Sequence, residues 1–139
     1  MMENNILFHK ECDFQINKAE SLSNWLIQTA KNENKLIGNI NYIFCDDKYL
    51  LKKNKDYLKH NTLTDIITFD YSEGDTLSGD IFISVERVKE NAVIFAQPFQ
   101  EELKRVMVHG LLHLLAYKDK TVDEAKIMRN KENFYLSKF

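Results

Sequence analysis

Between Lys18 and Lys31 the apolar residues Leu22, Trp25, Leu26 and Ala30 recur at the spacing of an amphipathic helix. The period changes at Leu36. From there to Cys45, Ile40, Tyr42 and Phe44 alternate with polar or smaller neighbours, which predicts a strand. Asp46 can cap a helix running through Leu50, Leu51 and Leu58. Two β-rich runs, Asp65 to Tyr71 and Gly79 to Ser84, flank the turn-prone Ser72-Glu73-Gly74-Asp75 and predict a hairpin or neighbouring strands. Ser84 then opens a helix with Val85, Val88, Ala92 and Phe95 on one side, ending near Pro98, whose ring restricts the residue before it. From Phe99 the pattern is helical almost to the end.

The last part of this pattern is unusual. Val106 to Tyr117 reads VMVHGLLHLLAY, and before the terminal tyrosine its ionisable groups are the imidazoles of His109 and His113. A helix that is apolar on every side is a buried helix. Thr121 followed three residues later by Glu124 fits a capping box, so a new helix should start there and Asp119 should lie in a short connection. The elements predict one α/β (α+β) domain over residues 1–139. It should have a small mixed β-sheet packed by helices, the histidine helix most buried and a cleft beside it.

Composition supports a single compact core, with 44% hydrophobic and 12% aromatic residues in 139. The first residues lack the basic flank and apolar run of a signal peptide, and no apolar run approaches membrane-spanning length. The expectation is a cytoplasmic protein with no membrane partner. Cys12 and Cys45 stand apart and outside any CxxC pair, so both are read as reduced and Cys45 as core. A formal charge of −2 provides no global positive field for nucleic acid, so any such contact must be local. The local candidate is Lys52 to His60, four lysines and a histidine around Tyr57, weighed against a plain solvated helix face.

Residues four apart on a helix share a face, with β-carbons about 5–6 Å apart, so His109 and His113 can aim ring nitrogens at one ion. Burying two imidazoles without partners would cost about 1–3 kcal/mol for each unsatisfied group, whereas a metal takes up one nitrogen of each ring. A carboxylate where the chain can turn back, Asp119, completes a His, His, Asp set for one divalent ion. Nitrogen and oxygen donors suit zinc, with manganese, iron or nickel as other occupants. Three protein ligands leave a position for water, whose pKa the ion lowers from 15.7 towards about 7, so hydrolysis is the expected reaction. No organic cofactor is signalled. The same histidine spacing occurs in zinc proteases, which place a glutamate directly after the first histidine as general base. Here that position is Gly110, which transfers no proton, and peptidase activity is disfavoured.

The stretch His109-Gly110-Leu111-Leu112-His113-Leu114 with Tyr117 and Asp119 resembles the signature helix of the YbeY family of metal-dependent endoribonucleases. Thr64-Asp65-Ile66-Ile67-Thr68-Phe69 and Gly79-Asp80-Ile81-Phe82-Ile83-Ser84 are similar to two further blocks of that family, in the same order. The resemblance runs from about Ile43 to Tyr135. It implies hydrolysis of single-stranded RNA in ribosomal RNA maturation and ribosome quality control, with the metal-bound water as nucleophile. His109, His113 and Asp119 would be the metal ligands. Asp119 stands where the family has a third histidine, Ala116 where it has glycine, and Leu58 where an arginine follows the tyrosine. Lys59 or His60, near it in sequence, is the candidate substitute for that arginine in holding RNA, with His60 also a candidate catalytic helper. Asp65 and Asp80 either line the site, as the resemblance implies, or cap turns at strand ends. The alternatives are a ribosome-associated binding factor with a structural metal, and a metallohydrolase of another substrate.

Overall fold

The protein was analysed as a computed structural model that describes residues 5–58 and 64–139, with Leu58 described for its backbone. The predicted elements form with small shifts at their ends: α1 (Ala19–Asn32), β2 (Leu36–Cys45), α2 (Asp47–Leu58), β3 (Ile66–Asp70), β4 (Thr76–Ser84), α3 (Val85–Ile94), α4 (Phe99–Leu114) and α5 (Val122–Leu136). One strand was not predicted. β1 (Asn5–Lys10) buries Ile6 and half-buries Phe8 but leaves Leu7 about half exposed, so its alternation is that of a short edge strand.

The sheet order is β1-β2-β4-β3. β1 and β4 both run parallel to β2, and β3 pairs antiparallel with β4, as the turn-prone segment between them requires. The result is a single small domain with a mixed sheet. Successive side chains of a strand face opposite sides. On one side Tyr42, Phe44, Ile81 and Ile83 join the main core with Leu26, Met107, Leu111 and Leu112 from α1 and α4. On the other, Cys45, Leu50, Ile67 and Phe82 form a smaller cluster under α2. Cys45 is fully buried and burial pushes its thiol up to about 12, which fits the core assignment.

α4 lies close against the sheet because Gly110 has no side chain. A β-carbon there would stand 2.9 Å from both Ile66 Cδ1 and Ile81 Cγ2, closer than packed carbons approach. Tyr42 fastens the same helix by donating its hydroxyl to the Met107 carbonyl at 2.8 Å. α3 corrects one expectation. Ser84 caps it as predicted, accepting from the Arg87 N–H, but the helix stops at Ile94 and Phe95 is 55% exposed instead of packing with Val88 and Ala92. The chain turns at Ala96 (φ 52°), which carries Phe95 away from the core.

Candidate metal centre

The three residues predicted as ligands converge. His109 and His113 sit one turn apart on α4, and their Nε2 atoms are 3.0 Å apart. The Asp119 Oδ2 lies 3.2 Å from the first and 3.3 Å from the second. Bonds of about 2.0–2.1 Å to a tetrahedral ion put neighbouring ligand atoms about 3.3–3.4 Å apart, so this triangle has the right size for zinc and similar ions. Among the described residues this is the group of three His, Cys, Asp or Glu side chains arranged to hold a metal ion.

The remaining ring nitrogens explain why both Nε2 atoms face inward. His109 Nδ1 donates to Glu132 Oε2 at 2.6 Å, and His113 Nδ1 donates to the Tyr117 carbonyl at 3.1 Å. With both protons on Nδ1, two Nε2 lone pairs and a carboxylate oxygen point at one spot, an arrangement that a cation relieves. A carboxylate or carbonyl behind a ligating imidazole is the usual means of fixing tautomer and ring orientation. Glu132 is itself 5% exposed and is held at its other oxygen by Arg105 Nη1 at 2.9 Å. Its Arg105 and His109 bonds keep its acidity strengthened against the opposing effect of burial.

The two imidazoles are electrically unequal. Burial disfavours protonated His109, but Glu132, then Asp119 and Asp65, outweigh this and raise its pKa. Burial and the neighbouring His109 charge lower that of His113, with Asp119 acting in the opposite sense. Asp65 belongs to the same field. Burial raises its pKa, the charge of His109 lowers it and that of Glu132 adds to the rise.

The end of α4 delivers Asp119. Ala116 adopts φ 75°, and the bonds Ala116 N–H to the His113 carbonyl and Tyr117 N–H to the Leu112 carbonyl, both 3.0 Å, are those of a Schellman cap. The conformation usual for glycine is therefore kept by alanine. Two bonds of a capping box on Thr121 and Glu124 start α5 immediately beyond. Tyr117 is also tied down at its hydroxyl, which donates to Glu33 Oε1 at 2.6 Å, while Tyr135 and Lys131 hold the other oxygen of Glu33.

Other predicted residues fall elsewhere. Asp80 accepts from Asn41 Nδ2 at 3.1 Å, and Asn41 in turn bonds His9. Its place in β4 alternates with Ile81, so it faces the side of the sheet opposite α4. Lys52, Lys53 and Lys55 lie on α2, also on that side. Lys52 pairs with Asp56 at 2.7 Å, and the Lys53 ammonium sits 5.0 Å over the exposed Tyr57 ring. Lys59 and His60 lie outside the described residues.

Fold and site together define a mixed-sheet α/β protein with a candidate three-ligand metal centre on its buried helix. Comparison with known proteins makes this specific. A model of the family described as endoribonuclease YbeY matches residues 5–139. The endoribonuclease YbeY of Flavobacterium psychrophilum is 55% identical over 96% of this chain and 96% of its own, and that of Christiangramia forsetii is 50% identical over 100% and 97%. The solution structure of TM1509 from Thermotoga maritima superposes with a TM-score of 0.67 at 27% identity, covering 96% of this chain and 87% of that one. The chain belongs to the YbeY family of endoribonucleases. Among the described residues no helix is long and apolar enough to cross a membrane.

Proposed function

We propose that this protein hydrolyses single-stranded RNA at a zinc ion held by His109, His113 and Asp119, and that its substrate is ribosomal RNA on or near the ribosome in the cytoplasm. The observation that carries this reading is the convergence of Nε2, Nε2 and Oδ2 within 3.0–3.3 Å, with both Nδ1 atoms already engaged. A divalent ion there supplies Lewis acidity towards a phosphoryl oxygen and acidifies a water. The protein holds the donors in their binding tautomers and keeps negative charge, from Asp119 and Glu132, next to the ion. Lys59 and His60 are proposed to hold the phosphate backbone. An ammonium and an imidazole are suitable donors to phosphate oxygens, and this chemistry supports the assignment.

A structural metal in a binding factor is the competing reading. Structural zinc is closed by four protein ligands, whereas the described cluster offers three, which favours a reactive site. Metal analysis of protein purified without chelator should find about one ion per chain. In Asp119→Asn, metal affinity and cleavage of single-stranded RNA should fall together. Cleavage that survives complete metal removal would refute the mechanism, and full metal loading with no cleavage in the parent would favour the binding factor.

A further inference from the structure

One sizeable cavity among the described residues lies away from the candidate metal centre. It is a groove of about 910 Å³ between α1 and the end of α5, within the size range of about 300–1,000 Å³ typical of ligand sites. Its lining includes Lys18, Lys31 and Lys138 and no aspartate or glutamate, on a chain whose formal charge is −2. Among the described residues none of the three lysines is in an ion pair, so their charge is directed at solvent or at a ligand.

Two aromatic rings lie in this lining and are largely open: Phe134 at 45% and Phe139 at 43% exposure. Each has an ammonium close by. Lys138 Nζ is 5.1 Å from the Phe134 centroid and Lys104 Nζ is 4.3 Å from that of Phe139. Trp25 meets Phe139 edge-on at 5.4 Å and is itself fixed by donating to the Tyr135 carbonyl at 2.7 Å. Asn24 and Gln28, along the α1 side, add neutral donors and acceptors. Flat rings for stacking, unpaired cations for phosphates and amides for base edges are the elements from which single-stranded nucleic acid grooves are built. An acidic peptide would use the lysines but has no flat group for the rings.

We infer that this groove is a subsite for single-stranded RNA, seating nucleotides of the same strand that reaches the metal centre; it rests on the endoribonuclease reading above. The groove is joined to that centre by a short hydrogen-bonded path. Asn32 in its wall donates to the Tyr135 hydroxyl at 3.0 Å, Tyr135 donates to Glu33, Glu33 holds the Tyr117 hydroxyl, and the Tyr117 carbonyl holds His113.

The test measures anisotropy of a labelled single-stranded RNA with the full metal-loaded chain, across a salt series, with cleavage followed in the same samples. Replacing Lys18, Lys31 and Lys138 together by alanine should weaken binding and flatten the salt slope by about 2, at ~0.7 per phosphate contact. Phe134→Ala should weaken binding about five- to a hundredfold with the slope unchanged, as loss of one stacked base does. Thermal melts check that each variant is folded, and the exposed position of Phe134 keeps that arm usable if the lysine triple does not fold. A folded triple variant with parental affinity and slope would overturn the groove. So would displacement of the RNA by polyglutamate as effectively as by unlabelled RNA, which would assign the surface to an acidic protein segment. A parent that neither binds nor cuts RNA would instead defeat the endoribonuclease reading, whereas a parent that cuts and a triple variant with unchanged KM would defeat the groove alone.

Discussion

Glu132→Gln tests the electrostatic support of the site at nearly constant volume. Glu132 accepts from two donors at once, His109 Nδ1 at 2.6 Å and Arg105 Nη1 at 2.9 Å. An amide has one acceptor oxygen and one NH2, so in either orientation one of those donors faces another donor. Loss of an outer carboxylate of this type typically weakens metal binding 10–100-fold, about 1.4–2.7 kcal/mol. The proton affinity of His109 must change too. Its pKa is raised because Glu132 and its acidic neighbours outweigh burial, so without the Glu132 charge it should fall. Metal competes with a proton for Nε2, so parental metal affinity should drop as pH falls through the raised His109 pKa, above 6.5, and drop more steeply below the depressed pKa of His113. In Glu132→Gln the first break should move to lower pH, while affinity at high pH remains reduced. Chelator competition with zinc across pH, together with NMR titration of the metal-free imidazoles, reads both quantities. A zinc affinity within twofold of the parent, or a His109 pKa unchanged by the substitution, would refute this account of how the ligand is held.

Asp119→His exchanges an anionic candidate ligand for a neutral one; in metal-saturated protein the pH–rate profile for RNA cleavage should move to lower pH, because the site would then carry less negative charge and a bound ion would acidify water more strongly. A move to higher pH would contradict this. Gly110→Ala places a β-carbon 2.9 Å from Ile66 and Ile81 and should destabilise the fold by about 1–3 kcal/mol in urea melts; an unchanged midpoint would show that α4 can withdraw from the sheet freely. Ala116→Gly relieves an alanine at φ 75° and should stabilise by up to about 1 kcal/mol, a rise of roughly 3–4 °C in Tm, unless the strain is smaller than the left-handed conformation implies.

The periodicity of the chain made most of the fold legible, because α1, β2, β4 and α4 each bury a face and carry that face in their spacing. β1 escaped because a short edge strand needs little apolar surface, and Phe95 was misplaced because a left-handed residue after it ends the pattern without a sequence mark. The candidate cluster was legible for a different reason. His109 and His113 are polar groups in an otherwise apolar stretch and need an explanation, whereas Glu132 sits in the polar run Arg129-Asn130-Lys131-Glu132-Asn133 and does not draw the eye. A signal was nevertheless present. Met128, Glu132 and Tyr135 form the buried stripe of α5 at spacings of four and three, and a carboxylate in such a stripe must have found a partner. Glu33 gave no comparable sign, since it follows the last turn of α1 and gathers its partners from Tyr117, Lys131 and Tyr135, far away in sequence.

Those distant partners bear on why a His, His, Asp set can occupy this site. All three candidate ligands come from α4 and the connection after it, so the position of Asp119 depends on how the helix ends, and a fraying terminus would scatter the third of them. Three restraints act against fraying. The Schellman bonds fix the backbone through Ala116, the capping box fixes the start of α5, and the Tyr117 side chain is anchored to Glu33 at the end of α1. Glu33 carries its charge more readily than an ordinary glutamate. Burial opposes ionisation, but the Tyr117, Tyr135 and Lys131 bonds outweigh it and lower the pKa. Tyr135, by contrast, is pushed up to about 12 by burial, with Glu33 adding to the rise, and so stays a hydrogen-bond donor throughout the neutral range. The anchor is therefore insensitive to pH near neutrality, while the ligands it positions are not. Changes in metal affinity between pH 6 and 8 should accordingly come from proton competition at His109 and His113, with the connection that presents Asp119 keeping its geometry.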